Sequence, residues 1–352
     1  MQKKYFLSII LSFCGNLFAA ESKKVNLELL IWDGYTHPEM VSNFKEKMKK
    51  KHNVNVTLNI KNADTNFDIF NNLRSKKADI ISPSHNLFKD KRFNYIGKKL
   101  LVPLTKKDVP NVANIEEELL SNGMYSEKGI LYAIPLCQGP YGLAYNKNLV
   151  KNAPTSWEIL WSKENKGNFT LAGDFPEVNV YITGMTLGVP NSSLFSIKLV
   201  REKNFKKRLT ALAKNSGKMY GVIEEPKDLK GKKFAATWGF AIKRLKEQGE
   251  DWVFANPKEG TTWWIDTFAV GSHLKGIKKK VALDFVNFAL SPEYQERVVA
   301  SELQAGTTVK TVDDKFKTRF DNIPKEKRIL WQVLSKRERN GFTKHWKAAR
   351  GK

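Results

Sequence analysis

The stretch that most constrains this chain runs from Asn26 to Ile60, where "NLELLIW", "HPEMVSNFKEKMKKK" and "VNVTLNI" follow one another with almost no spacer. The first is an apolar strand. The second places Met40, Val41, Phe44 and Met48 on one face at helical spacing, and the third turns Val54, Val56, Leu58 and Ile60 to one side. A strand, a helix and a strand in that order build a parallel pair, because parallel strands need a crossover and not a tight turn. A further helix carrying Phe67, Phe70 and Leu73 and the short buried run "ADIISPS" continue the pattern. It predicts an α/β fold with a mostly parallel, doubly wound sheet.

In such sheets ligands bind beyond the carboxyl ends of the strands. That rule selects three loops: Trp32 to Tyr35 after the first strand, Ser84 to Asn86 after the third, and Cys137 with Gln138 at the end of "ILYAIPL". Aromatic and small polar residues at converging strand ends suit a ligand rim. Trp32 taken alone is equally well a core residue that closes a strand.

From Gly139 the pattern restarts. "GLAYN" reads as a strand, "TSWEILWSKENKG" as a helix capped by Thr155, and "NFTLAGDFPEVN" as a strand, a loop and a helix. The middle from Ser192 to Lys232 reads as helical and basic, and "KKFAATWGFAI" returns to a strand ending at Trp238. Then "KEGTTWWIDTFAV", Lys258 to Val270, sets Asp266 inside an otherwise apolar strand. "KKVALDFVNFALSPEYQERVVAS" follows as two helices, with Ser291 as the N-cap of the second and Pro292 at its first position. At 352 residues the chain can hold two domains or one large α/β unit.

The first twenty residues read as a secretory signal: Lys3 and Lys4, an apolar run from Tyr5 to Phe18, then Ala19 and Ala20. The run is shorter than the roughly 20 apolar residues that span a bilayer. Phe13 before Cys14 argues against a lipoprotein signal, which wants a small residue there. Without the leader one cysteine remains, Cys137, which predicts a buried small side chain and no intramolecular disulfide.

Charge is the compositional oddity: 60 Lys and Arg against 36 Asp and Glu, a net +24 that the leader lowers by only Lys3 and Lys4. Such a balance raises nucleic acid, anionic lipid or cell-wall polymer as partners. The basic residues are spread, however. Lys45 to Lys51 end an amphipathic helix, where cations complement its dipole, and "GIKKK" is a short loop, so solvated faces are the expectation and nucleic acid is not. Catalysis finds no support either. The sequence has no Gly-x-Ser-x-Gly elbow, no phosphate-binding glycine loop and no His-Glu-x-x-His pair, and His37, His52, His85, His273 and His345 are scattered.

Together "IWDGY", "ISPS", "AIPLCQGPYGLAYN", "TSWEILW", "KEGTTWWIDTFAV" and "ALDFVNFALSPE" occur in the order and approximate spacing of the bacterial periplasmic polyamine-binding proteins of ABC uptake systems, which the chain resembles over nearly all of its mature length. The resemblance implies a type II periplasmic binding fold: two α/β lobes, residues 24–137 with 263–309 and 138–262 with 310–352, joined by crossover strands. It implies a monomer without cofactor that clamps spermidine or putrescine and passes it to an inner-membrane ABC permease. A polyamine is an aliphatic chain with an ammonium at each end, so its receptor needs carboxylates at the ends and aromatic walls between them.

By the family pattern Asp266 grips one ammonium beside Trp264, and Asp174 and Glu177 form the acidic pair at the other end. Trp32 and Tyr35 supply aromatics, Ser84 and Asn86 the polar loop, Trp238 a wall from the second lobe, and Gln332 a looser match. Gly34 and Gln138 depart from the pattern where relatives often carry a polar or acidic residue and an aromatic one, which leaves the preferred chain length open. From the residues alone, Asp266 could pair with a lysine, Asp174 could serve a turn and Glu177 a helix start. Two other readings stand beside the polyamine receptor: a same-fold receptor for another small solute, anionic ones included, and an exported protein that binds polymers through its basic surface.

Overall fold

The computed structural model describes residues 22–121, 123–221, 224–317 and 320–351. The expected signal segment, Cys14 included, lies outside these. Among the described residues no helix is long and apolar enough to cross a membrane.

Eleven strands are described: β1 (Lys23–Ile31), β2 (Val54–Asn62), β3 (Ile80–Ile81), the hairpin β4 (Ser126–Glu127) and β5 (Ile130–Leu131), β6 (Ile134–Asn146), β7 (Phe169–Thr170), β8 (Phe234–Thr237), β9 (Trp252–Phe254), β10 (Thr261–Val270) and β11 (Arg328–Leu330). The main sheet runs β2-β1-β3-β10-β6-β8-β7, with β11 against β10 and β9 against β6. The opening strand–helix–strand unit forms as the sequence requires. β1 and β2 pair in parallel from Lys23↔Val54 to Ile31↔Asn62, and the helix Pro38–His52 buries Met40, Phe44 and Met48.

Beyond β3 the sheet is mixed and not mostly parallel. β10 runs antiparallel to β3 and β6, and β6 antiparallel to β8 and β9. The two long strands tie the lobes together. β10 meets β3 at Ala269 and Val270 and β11 at Thr261 to Trp263, while β6 gives its first half to β10 and its second to β8 and β9. One core gathers Leu27, Phe44, Ile80, Phe268, Phe285 and Val298, and another gathers Leu143, Trp157, Phe169, Tyr181, Phe342 and Trp346.

Several local expectations are corrected. The strand expected to end at Gln138 continues unbroken to Asn146, so "AIPLCQGPYGLAYN" is one crossover strand. Trp157–Trp161 is a 3-10 turn whose cap is Ser156, accepting from Glu158 N–H, and not a helix capped by Thr155. In the second helix, Asn66–Arg74, Ile69 is fully buried while Phe67 is 51% exposed. Among the described residues of the basic middle the α-helices are Phe205–Asn215 and the single turn Pro226–Leu229, so the segment is less helical than expected. Ser291 does cap Pro292–Tyr294, accepting from Tyr294 N–H at 3.3 Å, but the helix widens to a π-helix over Gln295–Glu302.

The motif "KEG" proves to be a joint. Glu259 accepts from the Ser156 hydroxyl and, at 3.2 Å, from Trp157 N–H, and the Trp157 indole donates to the Gly260 carbonyl at 2.9 Å. Gly260 has φ +91°, and a Cβ there would lie 2.8 Å from the Lys327 carbonyl oxygen. The "TSWEILW" turn is thereby fastened to the start of β10.

Candidate functional site

Asp266 sits where β10 leaves regular pairing with β6. The register shifts between Asp266, opposite Cys137, and Thr267, opposite Pro135, leaving Leu136 as the extra residue of a bulge. A bulge re-aims side chains and leaves backbone groups to be satisfied elsewhere. Here the Leu136 carbonyl accepts from the buried Gln295 amide at 2.9 Å and from the Thr308 hydroxyl at 3.3 Å.

Both carboxylate oxygens of Asp266 are engaged. Tyr35 donates its hydroxyl to Oδ2 at 2.6 Å, and Ser84 donates its hydroxyl to Oδ1. The residue is 8% exposed. Burial pushes its carboxyl up to about 6, against the opposing pull of the Ser84 and Tyr35 hydrogen bonds. Among the described residues no Lys, Arg or His makes an ion pair with it, in a chain with 60 Lys and Arg.

Each hydroxyl is itself held in place. The turn from Trp32 to Tyr35 closes with Tyr35 N–H on the Trp32 carbonyl at 3.3 Å, and Trp32 N–H is anchored on Ser82 Oγ at 2.9 Å. Gly34 adopts φ +78°, and a Cβ there would approach the Leu303 side chain to 2.9 Å, so any other residue at this position is strained. The Tyr35 carbonyl accepts from the Tyr294 hydroxyl at 2.6 Å. Ser84 is set by its neighbour His85, which is fully buried. His85 Nε2 lies 2.9 Å from the Trp331 carbonyl, and Nδ1 lies 3.2 Å from Ile265 N–H and 3.1 Å from the Ile265 carbonyl; the neutral Nε2–H form donates to Trp331 and accepts from the Ile265 amide. Desolvation lowers the imidazole to about 4, which keeps it neutral.

The aromatic surround comes from both lobes. Trp264 is 3% exposed, donates its indole N–H to the Pro140 carbonyl at 3.0 Å and lies on Gly139, where a Cβ would come within 2.8 Å of the ring. Trp238 stands just beyond β8, its ring centroid 4.8 Å from Tyr141, 4.9 Å from Phe175 and 5.8 Å from Tyr220. Trp238, Phe240 and Trp331 pack against the first lobe's core, and Phe240 lies 5.8 Å from Trp264. Trp32 is half-buried against that core. Tyr141, Phe240 and Trp331 join this surround although no motif singled them out, and His85 lies in the loop Ser84 to Asn86 that the strand order selects. Phe240 and Trp331 lie one or two residues from named ones, and Tyr141 lies within the motif "AIPLCQGPYGLAYN".

The remaining expected residues divide. Asn86 donates to the Gln332 carbonyl at 3.3 Å, which joins those two, although the Gln332 side chain turns back to the Leu330 carbonyl. Gln138 is structural: its amide accepts from the Trp263 indole at 2.9 Å and donates to the Thr307 carbonyl at 3.1 Å. Asp174 is 61% exposed and lies 3.7 Å from Arg350. Glu177 is half-buried at the start of the helix Pro176–Thr186. Desolvation raises its carboxyl, and the charges of Arg92 and Arg339 oppose that rise. No hydrogen bond or ion pair among the described residues joins Asp174 or Glu177 to Asp266. Arg92 and Arg339 themselves converge on the buried Asp90, at 2.8 Å and 3.0 Å. Cys137 is buried and free, as expected, with its thiol pushed up by burial and by Asp266. Among the described residues no group of His, Cys, Asp and Glu could hold a metal ion.

Two α/β lobes threaded by shared strands, with a polar centre where those strands cross, are the architecture of solute receptors. The family model of bacterial extracellular solute-binding proteins matches residues 75–332. The chain belongs to that family. It is 26% identical over 227 residues to the spermidine/putrescine-binding periplasmic protein 1 of Haemophilus influenzae, an alignment covering 62% of this chain and 58% of that protein. It is also 26% identical over 300 residues to the putrescine-binding periplasmic protein PotF of Escherichia coli, covering 78% and 75%. Among solved structures, the spermidine/putrescine ABC transporter substrate-binding protein PotD of Streptococcus pneumoniae superposes with a TM-score of 0.75 at 20% identity, covering 93% of this chain and 99% of that one. The last similarity shows the fold.

Proposed function

We propose that this chain is a periplasmic receptor that closes two lobes, residues 24–137 with 263–309 and 138–262 with 310–352, on a polyamine and delivers it to an inner-membrane ABC permease. In this reading the leader is removed on export, the receptor works as a monomer and no catalytic step takes place. One observation carries the reading. Asp266 is a desolvated carboxylate oriented by two hydroxyls and, among the described residues, left without a basic partner in a strongly basic protein. A buried carboxylate without a countercharge is costly, and an ammonium ligand supplies that charge. The names of the curated relatives agree with this. Trp264 and Trp238 form the walls along which methylenes and cations pack, and Trp32, Asn86 and Gln332 complete the rim.

Asp174 and Glu177 take the second ammonium in this reading, and the arginines beside Glu177 favour one variant of it. Arg92 and Arg339 oppose an ammonium there and suit a solute with a single ammonium and an anionic far end. Calorimetric titration of the purified mature chain with spermidine, putrescine and a linear ω-amino acid separates the two. Micromolar or tighter binding of either polyamine supports the receptor. Preference for the ω-amino acid selects the variant, and no heat with any of the three removes both.

A further inference from the structure

Glu224, in the segment "IEEPKD", is 3% exposed, and none of the described residues gives it a basic partner. Its oxygens are spent on one turn. Oε2 accepts from the Thr237 hydroxyl, and Oε1 accepts from Ala241 N–H at 3.1 Å. The same Thr237 oxygen accepts from Gly239 N–H at 2.8 Å, so a single carboxylate binds both ends of the turn Thr237–Ala241 and, through Thr237, its middle. Gly239 has φ +85°, and a Cβ there would lie 2.7 Å from the Phe254 ring, so any other residue at this position strains the turn.

This turn crosses between the lobes. It begins at the end of β8 in the second lobe, and its Trp238 and Phe240 pack against the core of the first. The floor beneath Trp238 is also fixed by hydroxyls: Tyr220 donates to the Ala236 carbonyl at 2.7 Å, and Tyr141 accepts from Ala172 N–H at 3.1 Å. A buried carboxylate held only by neutral donors is expensive to keep, and its hydrogen bonds are correspondingly strong.

We infer that Glu224 is the positioning residue of the cleft, clamping the Thr237–Ala241 turn so that Trp238 and Phe240 stand against the first lobe in the geometry that receives the ligand. The affinity part of this inference rests on the receptor reading above; the clamp itself does not. Glu224 touches no ligand in this account and acts through Trp238.

The test is a double-mutant cycle with putrescine as probe. Glu224→Ala is expected to weaken binding about tenfold or more, Glu224→Gln to restore it to within about threefold of the parent, and Glu224→Ala in a Trp238→Ala background to cost less than about threefold. Parental affinity in Glu224→Ala, or an equal loss in both backgrounds, overturns the inference. Hydrogen exchange of the ligand-free protein gives a second readout. The amides of Gly239 and Ala241 are expected to exchange about tenfold faster in Glu224→Ala, and unchanged exchange overturns the clamp. If the parent chain binds no polyamine, the receptor reading fails and exchange alone decides on Glu224. If Glu224→Ala does not fold, Glu224→Gln and Thr237→Val carry the exchange measurement, with faster exchange expected at Gly239 in Thr237→Val and an unchanged rate there overturning the clamp.

Discussion

Tyr35 and Asp266, 231 residues apart in sequence, share a 2.6 Å hydrogen bond from the phenol to Oδ2. The bond orients a carboxylate whose hold on its proton burial strengthens, and it opposes that rise. With the Ser84 hydroxyl it keeps the carboxyl near 6, so the group is ionised at neutral pH while remaining poorly solvated. That balance gives a pH signature. The folded value lies above the ordinary 3.8, so the folded chain holds the proton more tightly. The stabilisation is complete below the unfolded value and is lost as pH rises through about 6, by about 3 kcal/mol for this group. Cation binding needs the ionised form and runs the other way. Putrescine affinity is expected to climb about tenfold per pH unit between pH 4.5 and 6 and then level off. Titrations across pH 4.5 to 8 check this, and a flat profile would remove Asp266 from the site.

Replacing Asp266 with Asn keeps the shape and removes the countercharge. Binding of the preferred polyamine is expected to weaken by about 2 to 5 kcal/mol and to lose its pH dependence. Stability of the free protein at pH 7 is expected to hold or rise, because a desolvated charge is gone. Calorimetric binding and thermal unfolding on the same samples decide the matter. A fall in stability with intact binding would make Asp266 a structural residue.

Much of this centre was legible in the sequence, and the limits of legibility are physical. An aspartate amid Trp263, Trp264, Ile265 and Phe268 marks itself, because a charge in an apolar strand needs a reason. Strand and helix periods report local burial, so the β1–β2 unit was plain. The continuity of β6 was not, since Gly139-Pro140 reads as a break. Gly139 instead makes room for the Trp264 ring, and Pro140 offers its carbonyl to the indole. The bulge at Leu136, the Gln295 and Thr308 groups that satisfy it, and His85 between Ile265 and Trp331 depend on pairings across more than a hundred residues. No local pattern carries those. Asp174 and Glu177 show the converse: the motif was visible, but the arginines that face them come from distant segments.

The Gly139 contact predicts a steric defect. In Gly139→Ala the new methyl meets the Trp264 ring at 2.8 Å and must push either the ring or β6. A loss of about 1 to 3 kcal/mol is expected in urea unfolding, together with weaker putrescine binding as the indole leaves the Pro140 carbonyl. Unchanged stability would show that the ring yields freely.

Asp90 bridges the lobes. It lies beyond Ser84 to Asn86, and it receives Arg92 from its own loop and Arg339 from the helix Lys336–Ala349, which packs on the second core. Arg339→Ala is expected to leave each lobe folded but to raise the radius of gyration of the free protein in X-ray scattering, with ligand restoring the parental value. Asp90→Asn strands two guanidinium groups and is expected to destabilise by about 3 kcal/mol. Identical scattering profiles for parent and Arg339→Ala would dismiss the bridge as a latch.

A cationic receptor for a cationic ligand poses a conflict that the surface lysines test. Lys45, Lys49 and Lys50 on the helix Pro38–His52 are exposed and form no ion pair among the described residues, unlike Lys47 and Lys51, which reach Glu293 and Asp284. At physiological ionic strength the screening length is about 8 Å, so charges on that face repel an approaching polyamine weakly and do not act on one already beside Asp266. Changing the three lysines to Gln is therefore expected to raise the association rate modestly, to flatten its dependence on salt, and to leave equilibrium affinity within about threefold. Stopped-flow rates at several salt concentrations, set beside calorimetry, give both quantities. Loss of equilibrium binding in the lysine variant, with Asp266→Asn still competent, would mean that the ligand is an anion and that the polyamine reading is wrong.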